Sequence, residues 1–338
     1  MTSYRDAGVD LEGADRHVAA IAELVTSTWG PGVVGAFGGF AAGIELPAGY
    51  TRPVLMLSTD GVGTKLALAA ATDRWDGVGH DLVAMCADDL VAAGAAPLAF
   101  VDYMAVGALR PTRDTAIVGS IAAACTTAGM ALVGGETAEH PGVMGSDDVD
   151  LAGAALGVVD YGEQIDGSSV RPGDVVVGLA SPNLRSNGFS LVRRVFNGVD
   201  LDEPFPGEDA SYGEVLTRPS VIYTPHVRAA LTTGHVRGAA HVTGGGLPGN
   251  LPRTLPEGLG ADLDPTSWEM PNVFGVIAER GKVAWPDMAD AFNLGIGFCL
   301  VTTPDGCDAV LEATQSVGGR AIGRVVDRPG IRFSAPLG

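Results

Sequence analysis

The sequence predicts a two-domain α/β (α+β) protein, and three observations carry that prediction. Its 338 residues exceed what one ordinary core accommodates. Apolar strand-like runs alternate with helical segments through the first half. The pattern then resets at a turn-rich stretch, Asp166-Gly167 followed by Arg171-Pro172-Gly173-Asp174, beyond which Val175-Val176-Val177 starts a fresh buried strand. The division falls at 1–166 and 167–338.

In chain order, a helix is predicted over 14–26, then a glycine-rich loop, Gly35-Ala36-Phe37-Gly38-Gly39-Phe40, and a strand over 54–58. A helix over 81–93, a strand over 99–105 and a helix over 112–128 follow, the last broken by Gly129. Strands over 131–133 and 150–159 complete the first half. The second half carries helices near 189–196, 220–231 and 271–280, interleaved with strands near 239–242, 297–301 and 321–326.

A composition that is 46% hydrophobic and 18% charged reads as globular. The formal charge of −19 argues against nucleic acid, whose binding rests on Lys and Arg at the phosphates. An anionic substrate must then meet a local positive patch or metal ions, although solubility alone also explains the acidity. Cys86, Cys125, Cys299 and Cys307 show no metal-ligand spacing, which fits a reduced compartment. The N-terminus has no basic then apolar leader, so a cytoplasmic location is expected. The uncharged stretches 24–44 and 115–135 are too rich in Gly, Ala and Thr for a membrane span.

The most informative segment is Ser58-Thr59-Asp60-Gly61-Val62-Gly63-Thr64-Lys65. It supplies an oxygen ligand, glycines for close backbone approach, a hydroxyl and a countercharge, the parts that hold a metal-bound phosphate chain. Lys65 is one of only two lysines, with Lys282. A second segment, Gly134-Gly135-Glu136-Thr137-Ala138-Glu139, again follows an apolar run. Neither is a standard nucleotide motif, and a plain Gly-rich β-turn explains each one separately. Asp81, Asp88 and Asp89 lie among Leu, Val, Met and Cys on a predicted helix, as metal ligands or as a solvated face. Ser186-Asn187-Gly188 opens a short helix and reads as an anion site or a simple N-cap. His241-Val242-Thr243-Gly244-Gly245-Gly246 is a further glycine turn. His80, His140, His226 and His235 have no partner spacing and receive no catalytic role.

Together these segments resemble the aminoimidazole ribonucleotide synthetase family over nearly the whole chain, from Tyr4-Arg5-Asp6-Ala7-Gly8-Val9-Asp10 to Phe292-Asn293-Leu294-Gly295-Ile296-Gly297. The resemblance implies ATP-dependent closure of formylglycinamidine ribonucleotide to an aminoimidazole, in purine biosynthesis. It implies ATP and Mg²⁺ as cofactors, and a homodimer whose N-terminal domains form a shared β-barrel. Asp60 and Asp89 would hold Mg²⁺, with Asp88 and Glu136 as further metal ligands. Lys65, Thr64, Gly61, Gly63, Gly135 and Thr137 would meet phosphate, under a loop carrying Gly38 and Gly39. Arg185, Ser186, Asn187 and Gly188 would line the substrate side, and Asp60, Lys65, Asp89 and Asn187 would form the catalytic set. Two departures stand out: Arg185 occupies a usual histidine position, and Asp88-Asp89 replaces Asn-Asp. Arginine cannot serve as a base near neutral pH. A related kinase or synthetase is the nearest rival reading; another is a non-catalytic nucleotide-binding protein.

Overall fold

The computed structural model describes residues 11–338, so the motif at 4–10 lies outside the described residues. The chain opens with α1 (Leu11–Thr26) and a short ribbon, β1 (Val33–Val34) with β2 (Gly43–Ile44), which brackets the glycine-rich loop. β3 (Pro53–Gly61), α2 (Leu66–Thr72), α3 (Val78–Ala92), β4 (Ala96–Val106), α4 (Pro111–Ala128), β5 (Ala131–Glu139) and β6 (Val149–Asp160) follow. The four long strands form one sheet in the order β3-β6-β4-β5, with only β4 and β5 parallel. Gly129 ends α4 at φ 74°, a left-handed conformation that glycine adopts without strain.

One face of this sheet is buried under α3 and α4, around Phe100, Met104, Leu82, Met85 and Ile121. On the opposite face Leu55, Leu57, Val101 and Tyr103 stay exposed, Leu57 at 77%. β3 therefore alternates in burial along its length, as a half-covered strand must. Among the described residues this sheet does not close on itself, so the expected barrel is not seen within the single chain.

The remaining residues build a second sheet, ordered β12-β9-β11-β7-β10-β8. Its strands are β7 (Val175–Ala180), β8 (Val236–His241), β9 (Gly260–Leu263), β10 (Ile296–Thr302), β11 (Arg320–Val326) and β12 (Gly330–Phe333). Between them lie α5 (Phe189–Val195), α6 (Tyr212–Thr217), α7 (Thr224–Leu231), α8 (Gly246–Asn250), α9 (Asn272–Gly281), α10 (Trp285–Ala291) and α11 (Cys307–Thr314). β7 is central and covered on both faces, which explains its unbroken run of valines. Val91 of α3 belongs to the same apolar cluster as Val175, Val177 and Leu179, so α3 serves both cores.

Two boundaries differ from expectation in a way that matters. The motifs at 58–61 and 134–139 are not turns beyond strands; they are the ends of β3 and β5, still paired with neighbours. β4 and β6 are long enough to keep offering backbone partners, and the glycines let the strands approach. A Cβ at Gly61 would lie 3.0 Å from the Leu151 carbonyl oxygen.

Candidate active site

The paired strand ends bring the acidic residues into one row. Asp60 lies opposite Gly153, Gly153 opposite Asp102, and Asp102 opposite Gly135. Asp60 is exposed, and its Oδ1 accepts the Gly61 N–H at 2.7 Å. Asp89 projects from α3 beside it, 3.5 Å from the Ser58 hydroxyl. Cys86 records that proximity: burial pushes its thiol up to about 12, and Asp60 and Asp89 both add to the shift. The carboxylate of Asp89 is held in place by the Nδ1–H of His241 at 2.9 Å. Burial works to raise its pKa, but the His241 hydrogen bond, the charge of Arg253 and the Ser58 hydroxyl outweigh burial and lower it. Asp89 thus stays ionised.

His241 has both ring nitrogens engaged. Its Nε2 lies 2.9 Å from an Arg185 guanidinium nitrogen, which can only donate. Nε2 therefore accepts, and Nδ1 carries the proton toward Asp89. The sequence offered one signal for this residue, its place at the end of an apolar strand before three glycines.

Three expectations are corrected by the packing. Lys65 does not face an open site. It is 1% exposed, pairs with buried Asp81 at 2.6 Å, and donates to the Arg185 and Arg218 carbonyl oxygens at 3.1 and 2.7 Å. Burial lowers its pKa and Asp81 opposes that shift. It fastens the first half of the chain to two loops of the second. Asp88 is equally unavailable to a metal: it is fully buried, and Oδ1 accepts from Tyr223 N, Thr224 N and the Thr224 hydroxyl. Its Oδ2 accepts from Arg185 at 2.9 Å, and Arg185 is itself fully buried. Arg185 accordingly cannot line an open substrate surface. The two departures from the family pattern are the two ends of one ion pair.

The other expected residues separate into groups. Gly38, Gly39, Gly135, Glu136 and Thr137 line one cavity of about 500 Å³, together with Asp102 and His17 of α1. His17 Nε2 sits 3.3 Å from the Thr137 hydroxyl. Thr64 touches Ser190, and Gly63 turns the chain at φ 71° with open space around it. Asn187 makes one weak contact, to the Met85 sulfur at 3.9 Å, and the Ser186 hydroxyl is buried without a partner. Gly188 is required by packing, since a Cβ there would lie 2.2 Å from the Phe292 ring. The helix it precedes has only seven residues.

A second cavity, about 290 Å³, lies where the two halves meet, lined by Ser58, Asp89, His241, Asn250 and Arg253 among others. Arg253 is exposed there, with Asn250 Oδ1 3.3 Å from its guanidinium. It supplies the local positive charge that Lys65 does not. Among the described residues no three His, Cys, Asp or Glu side chains gather as a metal cluster. Mg²⁺ asks for only one or two carboxylates, with phosphate oxygens and water completing the shell. Asp60 and Asp89 meet that requirement, and Asp88 does not.

Comparison with known proteins gives a consistent result. Residues 42–159 match the family described as AIR synthase related protein, N-terminal domain, and residues 171–335 match its C-terminal domain. The chain is 47% identical over 336 residues to a phosphoribosylformylglycinamidine cyclo-ligase of Gloeobacter violaceus, covering 98% of this chain and 99% of that one. It is 41% identical over 334 residues to the enzyme of the same name from Oceanobacillus iheyensis, with 98% of each chain covered. Among solved structures it shares the fold of a thiamine-monophosphate kinase from Stenotrophomonas maltophilia (TM-score 0.69, 20% identity, 94% of this chain and 97% of that one). It also shares the fold of hydrogenase maturation protein HypE in complex with ATP (TM-score 0.66, 16% identity, 94% and 91% covered). Matched end to end by such relatives and by both domain descriptions, the chain belongs to the phosphoribosylformylglycinamidine cyclo-ligase family, the aminoimidazole ribonucleotide synthetases.

Proposed function

We propose that the protein closes the imidazole ring of purine biosynthesis, converting formylglycinamidine ribonucleotide and ATP to 5-aminoimidazole ribonucleotide, ADP and phosphate. The observation that carries this reading is the 47% identity to a relative named for it, across 98% of this chain. In this reaction the formyl amide oxygen attacks the γ-phosphorus and ADP leaves. The amidine nitrogen then attacks the activated carbon, phosphate is expelled, and a proton is lost. The work asked of the protein is positioning and charge stabilisation, which suits a site of acids, amides and glycines.

In this reading ATP lies in the cavity bordered by Gly38, Gly39, Gly135, Glu136 and Thr137, with its phosphates directed to Asp60 and Asp89. Mg²⁺ held there would neutralise developing phosphate charge. Arg253 and Asn187 face the substrate, and His241 with Arg185 keeps Asp89 oriented and ionised. The protein acts as a homodimer in the cytoplasm, its exposed sheet face meeting a second copy to complete a barrel. No helix among the described residues is long and apolar enough to cross a membrane. The rival reading of a lost catalytic function loses its main support: Arg185 and Asp88 compensate one another and leave Asp60 and Asp89 free of that pair.

The test is phosphate release from ATP and Mg²⁺, with and without formylglycinamidine ribonucleotide, alongside assay of the aminoimidazole. Release that depends on the substrate and matches product one for one is expected. Release without the substrate, or nucleotide binding with no product, would transfer the protein to a kinase-like or binding role.

A further inference from the structure

Asp102 belongs to no motif singled out in the sequence, yet it is the one acid set between Phe100 and Met104 on the covered face of β4. It lines the cavity of about 500 Å³ beneath α1, whose other walls include Val18, Ile21, Phe37, Val118 and Val133. Such walls suit a flat aromatic ring. Gly135 is glycine because of this carboxyl: a Cβ at 135 would sit 2.3 Å from the Asp102 Oδ1. No side chain among the described residues bonds to it or pairs with it; its own backbone N–H is the group that does, which leaves carboxyl acceptor capacity for something entering the cavity. It also stands two strands from Asp60 in the same row, roughly 10 Å away by the usual strand spacing.

We propose that Asp102 is the residue that selects the nucleotide base, one carboxyl oxygen accepting the exocyclic amino N–H of adenine in the cavity under α1. This rests on the reading that ATP occupies that cavity, and it adds which residue distinguishes an amino-bearing purine from others. Burial pushes the Asp102 carboxyl up to about 7, so a share of the molecules present it neutral and able to donate to a ring nitrogen as well. A site built to bond a polar substituent rejects the analogue lacking it, because its own buried group is left unpaired.

The experiment compares equilibrium binding of ATP and of purine riboside 5′-triphosphate, which lacks only the amino group, to the full chain with Mg²⁺. The wild type is expected to prefer ATP by at least about tenfold. Asp102→Ala should bind the two within about twofold, and Asp102→Asn, which keeps an acceptor oxygen, should retain the preference. Should the alanine variant not fold, Asp102→Leu fills the space and is read in the same way. An unchanged preference in the alanine or leucine variant, or none in the wild type, overturns the assignment while leaving ATP binding intact. Failure of the wild type to bind either triphosphate overturns the nucleotide reading and the assignment with it.

Discussion

Asp88 and Arg185 show how a buried charge constrains its neighbours. Both side chains are fully buried, and Arg185 leaves Nε and one terminal nitrogen without partners. Removing one member strands the other's charge in the interior, at a cost of about 3–5 kcal/mol. Arg185→Ala and Asp88→Ala should each lower the unfolding free energy by that much. The double substitution Asp88→Asn with Arg185→His should recover most of the loss, because neutral groups can bridge Tyr223 N and His241. A double-mutant cycle built from Asp88→Asn, Arg185→His and the two together, read by urea denaturation, checks this, and strictly additive losses would show that the two residues are not coupled.

Asp102 gives a second residue-scale prediction, on pH. Its folded-state value of about 7 exceeds the ordinary 3.8, so the folded chain binds its proton more tightly than the unfolded chain. Its contribution to stability is therefore full below about pH 4 and is lost as pH rises to about 7. The Cys125 thiol, which senses the Asp102 charge, is buried and raised well above the usual thiol range, so it remains neutral throughout. Asp102→Asn removes the penalty, and its stability relative to wild type should be greater at pH 8 than at pH 4, by roughly 1–4 kcal/mol. Denaturation midpoints at the two pH values decide it. An advantage that does not grow with pH would mean the carboxyl is well solvated.

At the scale of elements, the strand-and-helix alternation was legible because each strand is a short β-branched or apolar run bounded by glycine or proline. The predicted helix over 112–128 is observed as Pro111–Ala128, and its glycine stop is where the sequence put it. Short pieces such as α6 and α8 escaped, having too few residues to show a period. The site was less legible. Asp60 could be picked out beside glycines and Asp89 as an acid in an apolar helix, but the burial of Lys65, Asp88 and Arg185 depends on contacts between residues more than ninety positions apart. Spacing along one chain does not encode those. Gly135 illustrates the same limit: it reads as a phosphate turn, whereas in the folded strand it makes room for Asp102. Gly135→Ala should therefore destabilise the wild type by about 1–3 kcal/mol and cost clearly less in an Asp102→Ala background. Equal losses in both backgrounds would contradict that packing account.

At the scale of the whole molecule, an apolar sheet face and a strongly acidic surface pull in opposite directions. A net charge of −19 favours separation of copies, yet Leu55, Leu57, Val101 and Tyr103 lie together on one face with no helix over them. Leu57 and Leu156 are paired across β3 and β6, and Val101 and Ala154 across β4 and β6, so the face is continuous over three strands. None of its apolar members carries a charge, so the electrostatic cost of association falls at the rim, where salt screens it. Covering such a face with a copy of itself is the symmetric solution. It would also unite the open edges of the two sheets, the step a shared barrel requires. The same strands carry Asp60 and Asp102, so docking should stiffen the row on which the candidate site depends. Leu57→Glu places a charge at the most exposed apolar side chain of the face, on its edge strand β3, and should convert a dimer to a monomer in light scattering. Turnover should fall by at least about tenfold, while circular dichroism shows that the fold is kept. A wild type that is monomeric at micromolar concentration and fully active would show instead that each chain builds its site alone.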